Sequence, residues 1–122
     1  VPYLATLTSL TLQNNRLSEL PDELWRLIGL RELNLGCNRL KRLPVEIGLL
    51  VNLEELYVHS NQLSAIPAQL GSLVRLRILD LTGNYLMYLP VEVKAMSLSQ
   101  LWADQNPFGP LNPDRLSKVL SL

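Results

Sequence analysis

Apolar and polar positions along this chain recur in one order at a nearly constant interval. From residue 30 the order is LRELNLGCNRLKRLPVEIGLL, in which spaced leucines lead to an asparagine and then to a Leu-Pro pair. Successive copies of the asparagine lie 23 residues apart three times and 22 residues apart once. They are Asn15, Asn38, Asn61, Asn84 and Asn106, and Pro21, Pro44, Pro67 and Pro90 keep the 23-residue interval. The chain therefore consists of about five copies of one structural unit.

The beginning of each copy, L-x-x-L-x-L, predicts a short β-strand. Side chains alternate between the two faces of a strand, so the leucines at every second position share one face. One copy cannot bury its own leucines, but stacked copies form a parallel sheet over a continuous core. The strand residues predicted to point inward and to be buried are Leu10, Leu12, Leu33, Leu35, Leu56, Val58, Leu79 and Leu81.

The repeated asparagine follows each predicted strand, where the chain turns and its backbone groups lose their strand partners. A buried polar group without a partner costs roughly 1–3 kcal/mol. An amide side chain has two donor hydrogens and an acceptor oxygen, so it can satisfy both its own turn and the neighbouring copy. We therefore interpret the asparagines as a structural ladder rather than as binding residues.

The Leu-Pro pair predicts the start of the crossover to the next strand. Proline sets φ to about −65° and cannot donate a ladder hydrogen bond. Apolar residues three and six positions after each proline fit one face of a short helical or 3₁₀ turn. Gly48 and Gly71 are expected to give two of the crossovers extra backbone freedom.

The whole pattern, L-x-x-L-x-L-x-x-N-x-L-x-x-L-P, resembles the leucine-rich-repeat family over essentially the entire chain. Its 23-residue form, with EIGLL and QLGSL in the crossovers, is similar to the intracellular Ras-group-related repeats of Ras-suppressor proteins, scribble and erbin. The resemblance implies an α/β leucine-rich-repeat solenoid. In such a solenoid a curved parallel sheet of about five short strands is joined by irregular, 3₁₀ or helical crossovers and closed by a C-terminal helical cap.

The domain assignment follows from the repeat positions. Residues 1–122 are assigned to one leucine-rich-repeat domain, with repeats starting near residues 7, 30, 53, 76 and 98. Beyond Asn106 the Leu-Pro pattern stops, and Asn112-Pro113 is typical of a helix start, so about residues 106–122 are predicted to form the cap. The opening VPYLATL has no polar cap, which leads us to expect a fragment of a longer protein.

Composition and charge bear on partners and location. Eleven Lys and Arg balance eleven Asp and Glu, so no net field attracts nucleic acid or an anionic membrane. No apolar run approaches the ~20 residues of a membrane helix. The single cysteine, Cys37, cannot form an internal disulfide, and the cysteine-rich caps usual in extracellular members of the resembled family are not visible. These observations favour a cytoplasmic location.

The outward strand positions, together with the two positions before each ladder asparagine, form a surface that we call the strand face. The resemblance implies that partners bind on this concave side. Its twenty positions hold four acids and no Lys or Arg, although solvated strands also tolerate acids for purely structural reasons. The predicted protein-binding residues are Glu32, Asn34, Glu55, Tyr57, His59, Asp80, Thr82, Trp102 and Asp104.

Two aromatic residues make this surface more specific. Tyr57 and Trp102 occupy the same column two repeats apart, which places them about 10 Å from each other. Tyr and Trp are enriched at binding hot spots, and an outward Trp on a strand has no packing role of its own. The alternative is that a C-terminal helix or a following domain covers Trp102.

The segments after the ladder asparagines form a second candidate surface, in which basic residues either contact a partner or only keep the protein soluble. Its residues in the first two copies and in the fourth are Arg16, Arg39, Lys41, Arg42, Tyr85, Met87 and Tyr88.

Catalytic or metal chemistry is not indicated. His59 and Cys37 fall in adjacent columns of adjacent copies, and such a pair can form a nucleophile or half of a metal site. No third ligand or orienting group accompanies them, and phosphate-loop and hydrolase motifs are missing. We expect no catalytic residue, no metal site and no cofactor.

The favoured interpretation is a protein–protein interaction module or scaffold in intracellular signalling. The resemblance implies partners such as a small GTPase, a phosphatase or a scaffold protein with a basic or apolar segment, without nucleic acid or membrane insertion. The alternative is the recognition portion of a larger signalling enzyme, such as a kinase, cyclase or ubiquitin ligase, whose catalytic domain lies outside these residues.

Overall fold

The predicted short strands form one open parallel sheet in chain order. The structure, a computed structural model, describes residues 6–108, so the predicted cap beyond residue 108 lies outside the described residues. The strands are β1 (Ser9–Thr11), β2 (Glu32–Asn34), β3 (Glu55–Tyr57), β4 (Ile78–Asp80) and β5 (Gln100–Trp102). Their order in the sheet is β1-β2-β3-β4-β5, which confirms the predicted stacking of successive repeats.

Strand pairing follows the repeat interval. Leu33 lies opposite Leu10 on one side and Leu56 on the other, and Leu79 lies opposite Leu56 and Leu101. Equivalent residues of successive repeats therefore become neighbours in space. A column of equivalent positions in the aligned repeats is therefore a column of adjacent side chains on the sheet.

The core lies on the inward side of this sheet. Six of the eight strand residues predicted to be inward, from Leu33 to Leu81, are completely buried. Leu10 and Leu12 are only half-buried, although both pack against the core, so the prediction of full burial is wrong for them. In the described part of the chain β1 has a strand partner on one side only, which leaves its leucines less covered.

The crossovers begin at the Leu-Pro pairs, as predicted. Three of them contain 3₁₀ helices, and the fourth contains a short α-helix, α1. Their bounds are Asp22–Arg26, Val45–Leu49 and Ala68–Ser72 for the 3₁₀ helices and Val91–Lys94 for α1. The apolar residue three positions after each proline is buried in every case: Leu24, Ile47, Leu70 and Val93.

The two crossover glycines act differently from the prediction. Gly83, before the fourth ladder asparagine, has a positive φ of 71°, whereas Gly48 and Gly71 do not need that conformational freedom. A Cβ atom on Gly71 would lie 2.7 Å from the backbone oxygen of Glu92, and one on Gly48 would lie 3.1 Å from the backbone oxygen of Gln69. These glycines allow neighbouring crossovers to approach closely.

The asparagine ladder is confirmed for four of the five asparagines, while the Asn15 side chain donates only within its own turn. The Oδ1 atom of Asn84 accepts from the Leu63 N–H at 3.0 Å, while its Nδ2 donates to the carbonyls of Val58 at 3.1 Å and Leu81 at 2.9 Å. The Asn84 amide thus joins its own turn to the preceding repeat. Equivalent bonds are made by Asn38, Asn61 and Asn106.

Candidate functional site

The strand face consists of adjacent columns whose members are held in register by the sheet. Its two columns within the strands are Thr11, Asn34, Tyr57, Asp80 and Trp102, and Ser9, Glu32, Glu55, Ile78 and Gln100. Among the predicted binding residues, Glu32, Trp102 and Asp104 are exposed. The half-buried ones are Asn34, Glu55, Tyr57, His59, Asp80 and Thr82. The structure therefore brings all nine residues onto one surface but with unequal access.

Half of the acids on this face already have partners. The Glu55 carboxylate accepts a hydrogen bond from the Tyr57 hydroxyl at 2.5 Å and one from the Arg77 guanidinium at 2.7 Å. The twenty positions of the face contain no basic residue, but the Arg77 side chain reaches the face from the position before β4. The negative charge of Glu55 is therefore compensated.

Tyr57 is tied to the same carboxylate. The hydrogen bond that its hydroxyl donates to Glu55, with partial burial and the nearby charges of Glu55 and Glu32, raises the pKa of Tyr57 to about 12. The phenol consequently stays protonated, and its hydroxyl hydrogen is already used in the hydrogen bond to Glu55. A partner that uses Tyr57 meets the edge and face of the ring rather than a free hydroxyl.

Asp80 and His59 form a second polar cluster between repeats. One Asp80 oxygen accepts from the Thr82 N–H at 3.1 Å, and the other lies 3.5 Å from Nδ1 of His59. The His59 ring lies over Gly36, where a Cβ atom would approach it to 2.3 Å. Because Gly36 in the preceding repeat has no side chain, the His59 ring can pack into the face at that position.

Trp102 is the large hydrophobic side chain that the strand face presents most openly. It remains 41% exposed on β5, and in the register of the sheet Asp80 lies between it and Tyr57. An indole held on a strand loses little further freedom when it is covered by a partner. Of the two predicted aromatic anchors, Trp102 is the accessible one.

Cys37 and His59, which are neighbours in adjacent copies of the sequence, lie next to each other through their backbones. Their backbones are joined by a hydrogen bond from the Cys37 N–H to the His59 carbonyl at 2.9 Å, as repeat neighbours should be. Within residues 6–108 no group of three or more His, Cys, Asp or Glu side chains could hold a metal ion. The same part of the chain has no helix long and apolar enough to cross a membrane.

A charged row beside the strand face was not predicted from the sequence. Glu54 lies between Arg31 at 4.0 Å and Arg77 at 3.9 Å, and the three residues occupy equivalent positions just before their strands. The signal was present as an Arg-Glu-Arg alternation at the 23-residue interval. It was overlooked because these positions precede the strands. These exposed pairs contribute little stability but set the charge at the edge of the face.

Comparison with known proteins identifies the repeat. The family model described as leucine rich repeat matches residues 5–63 and 28–86. A solved leucine-rich-repeat protein of Leptospira interrogans is similar at 39% identity with a TM-score of 0.74. That match covers 84% of this chain and 26% of the other, so the present chain spans only that fraction of its neighbour's length. No curated protein matches the sequence.

Proposed function

Because the chain belongs to the leucine-rich-repeat family, whose domains are typical protein-interaction modules, we propose that it binds a protein partner through its strand face and the adjacent loops. The observation that carries this proposal is the exposed Trp102 on β5. A large apolar side chain on a rigid strand supplies contact area at low entropic cost, as binding hot spots do.

Electrostatics indicate the chemistry of the partner. Glu55 and Asp80 already have partners, so Glu32 and Asp104 are the exposed carboxylates that remain for a ligand. Among the described residues no cation lies within 4.0 Å of either carboxylate. A segment with an apolar side chain for Trp102 and flanking basic residues complements this arrangement.

The size of the face supports a contribution from the loops. Five strands at a spacing of about 4.8 Å extend over about 20–25 Å. A standard interface takes roughly 800 Å² from each partner, which the strand face alone barely provides.

The 23-residue Leu-Pro repeat also supports a role as a cytoplasmic scaffold with a small GTPase, a phosphatase or another scaffold as partner. The family match and the solved neighbour suggest a non-catalytic repeat domain. They do not favour the alternative, the recognition portion of a larger signalling enzyme, because both describe the repeat itself.

The test compares association and dissociation rates of Trp102→Ala and wild type with purified small GTPases, in both nucleotide states, as first ligands. We expect a loss of at least ~1–2 kcal/mol in affinity, mostly through faster dissociation. Reversing Glu32 and Asp104 to Lys should slow association and flatten its salt dependence. Val74→Ala, in the turn before β4 and 90% exposed, is the control. If a bound partner dissociates from Trp102→Ala at the wild-type rate, the strand face is not its site.

A further inference from the structure

The segments between each ladder asparagine and its Leu-Pro pair form a second continuous surface, which we call the loop surface. It comprises residues 39–42, 62–65 and 85–88 of the second, third and fourth repeats. Each segment has one leucine that turns inward, namely Leu40, Leu63 or Leu86, and the other side chains are exposed except those of Gln62 and Ala65, which are half-buried. The outward side chains are therefore displayed in columns, as on the strand face.

One end of the loop surface is basic. Arg39, Lys41 and Arg42 are exposed, and no carboxylate oxygen of residues 6–108 lies within 4.0 Å of their charged groups. Lys41 and Arg42 border a depression of about 520 Å³ that Glu19, Asp22 and Glu46 also line. Lys41 and Arg42 therefore have acids nearby on the side of the first repeat, but neither forms an ion pair with them. Both remain available to a ligand that extends toward the third repeat.

The other end is apolar. Tyr85, Met87 and Tyr88 occupy the positions equivalent to Arg39, Lys41 and Arg42, and they are 61%, 60% and 50% exposed. Large apolar side chains that are exposed side by side are unusual on a soluble surface and typical of binding sites. The third repeat, between the two ends, carries only Gln62, Ser64 and Ala65 at these positions.

A second hydrogen-bond ladder fixes the geometry of this surface. The N–H groups of Arg39, Gln62 and Tyr85 donate to the carbonyls of Leu17, Leu40 and Leu63 at 2.7, 2.8 and 2.8 Å. The ladder asparagines hold the same segments from the other side, as Asn61 holds Leu40. Segments two repeats apart are therefore about 10 Å from each other, which is the span of about three residues of extended chain.

We propose that the loop surface is a docking site for a protein segment in which acidic residues and apolar residues are separated by about three positions. The acids pair with Arg39, Lys41 and Arg42, and the apolar residues cover Tyr85, Met87 and Tyr88. This proposal rests on the proposed role as a protein-binding module. It assigns a second surface, with a ligand charge opposite to that of the strand-face ligand.

A protein segment fits better than an anionic membrane, the other ligand with acidic and apolar character. Lipid recognition by electrostatics uses clusters of about 4–8 Lys or Arg, each worth ~1 kcal/mol near the surface. The loop surface offers only three basic residues in the second repeat, and Glu19 and Glu46 lie next to them. The formal net charge of the chain is zero. The basic and apolar groups also lie at opposite ends of one row, which suits a linear ligand.

The experiment displays short random peptides to the immobilised 122-residue chain in low salt. Peptides retained by wild type are counter-selected on a variant with Lys41→Glu, Arg42→Glu, Tyr85→Ser and Tyr88→Ser. We expect the peptides that depend on the loop surface to carry Asp or Glu with a large apolar residue about three positions away. Co-sedimentation with phosphatidylcholine vesicles, with and without phosphatidylserine, runs in parallel.

Dissociation constants of a retained peptide then separate the two ends of the surface. Lys41→Glu with Arg42→Glu should weaken binding at least about tenfold and reduce its salt dependence. Tyr85→Ser with Tyr88→Ser should weaken it at least about fivefold without changing that salt dependence. All four side chains are exposed, so the melting temperature should stay that of wild type.

Matched controls make the same chemical changes elsewhere. Arg26→Glu and Val74→Ser alter an exposed cation and an exposed apolar residue outside the loop surface and should leave binding unchanged. Trp102→Ala should also leave it unchanged, which distinguishes this site from the strand face. The proposal is overturned if no retained peptide depends on the loop variants, if the dependent peptides lack acids, or if only phosphatidylserine vesicles distinguish wild type from the variants.

Discussion

At the scale of single residues, the ladder asparagines are the most demanding positions of the chain. Asn61 accepts a hydrogen bond from the Leu40 N–H at 3.0 Å and donates to the carbonyls of Leu35 and Val58. Those two carbonyls also accept from Asn38 and Asn84, whereas the structure gives the Leu40 N–H no second partner. The acceptor oxygen of Asn61 is therefore its least replaceable atom.

Replacing Asn61 with Ala should lower the free energy of unfolding by about 2 kcal/mol, because it leaves one buried N–H without an acceptor. Asn15→Ala is the matched control, since Asn15 is exposed and donates only to Leu12 and Gln13 within its own repeat. Urea denaturation of both variants provides the measurement. Equal losses would show that the inter-repeat bond adds nothing to stability.

Tyr57 permits a direct check of the polar contacts on the strand face. Its pKa, raised to about 12, should be measured by NMR titration of the ring carbon that bears the hydroxyl, with Tyr57→Phe assigning the signal. Glu55→Gln should lower the pKa toward about 10, since it removes the charged acceptor. Because the pKa of Tyr57 is higher in the folded than in the unfolded protein, the contact with Glu55 stabilises the fold fully below pH ~10. That stabilisation is lost as the pH rises through about 12. A Tyr57 pKa that is the same in both proteins would contradict the Glu55 contact.

At the scale of elements, close contact between successive crossovers depends on small residues. The 3₁₀ helix Ala68–Ser72 packs against α1, and Gly71 lies where a Cβ atom would approach the Glu92 backbone oxygen to 2.7 Å. A backbone atom cannot rotate away as a flexible side chain can. The crossovers themselves would have to separate.

Gly71→Ala should therefore destabilise the protein by about 1–3 kcal/mol, the usual cost of overpacking. Gly48→Ala is the comparison, because its new Cβ would meet the Gln69 backbone oxygen at 3.1 Å and requires a smaller shift. Thermal unfolding of the two variants should rank Gly71→Ala as the less stable. The reverse order would show that the α1 contact adjusts more easily than the contact between the two 3₁₀ helices.

At the scale of the whole molecule, each repeat contacts only its neighbours. The protection of backbone amides against hydrogen exchange should therefore depend on the position of a repeat in the stack. The N–H groups of Leu12, Leu35 and Val58 make equivalent bonds to the next repeat at 2.8, 2.7 and 2.9 Å. Leu12 itself is half-buried, while Leu35 and Val58 are fully buried.

Amide hydrogen exchange should consequently be faster at Leu12 than at Leu35 and Val58, although the three hydrogen bonds are alike. Two-dimensional NMR after transfer to D₂O measures the three sites in one sample. Uniform exchange would mean that the array opens as a single unit, and the difference in burial would then have no energetic consequence.

The sequence alone determined the repeat architecture of the described residues. A 23-residue recurrence of leucine, asparagine and proline leaves one economical way to bury the leucines and to satisfy the turns, which is stacking in register. Strand positions, the ladder and the buried face of each crossover follow from it. The membership of the strand face follows as well, because outward positions in a strand are set by alternation.

Only the tertiary structure decided how the side chains of that face are used. The reach of Arg77 to Glu55 and the position of His59 over Gly36 depend on rotamers and on packing between repeats. The half-burial of Leu10 depends on how many neighbours its strand has. Periodicity specifies which residues share a column, but contacts across columns depend on three-dimensional distances of a few ångströms, which no one-dimensional pattern contains.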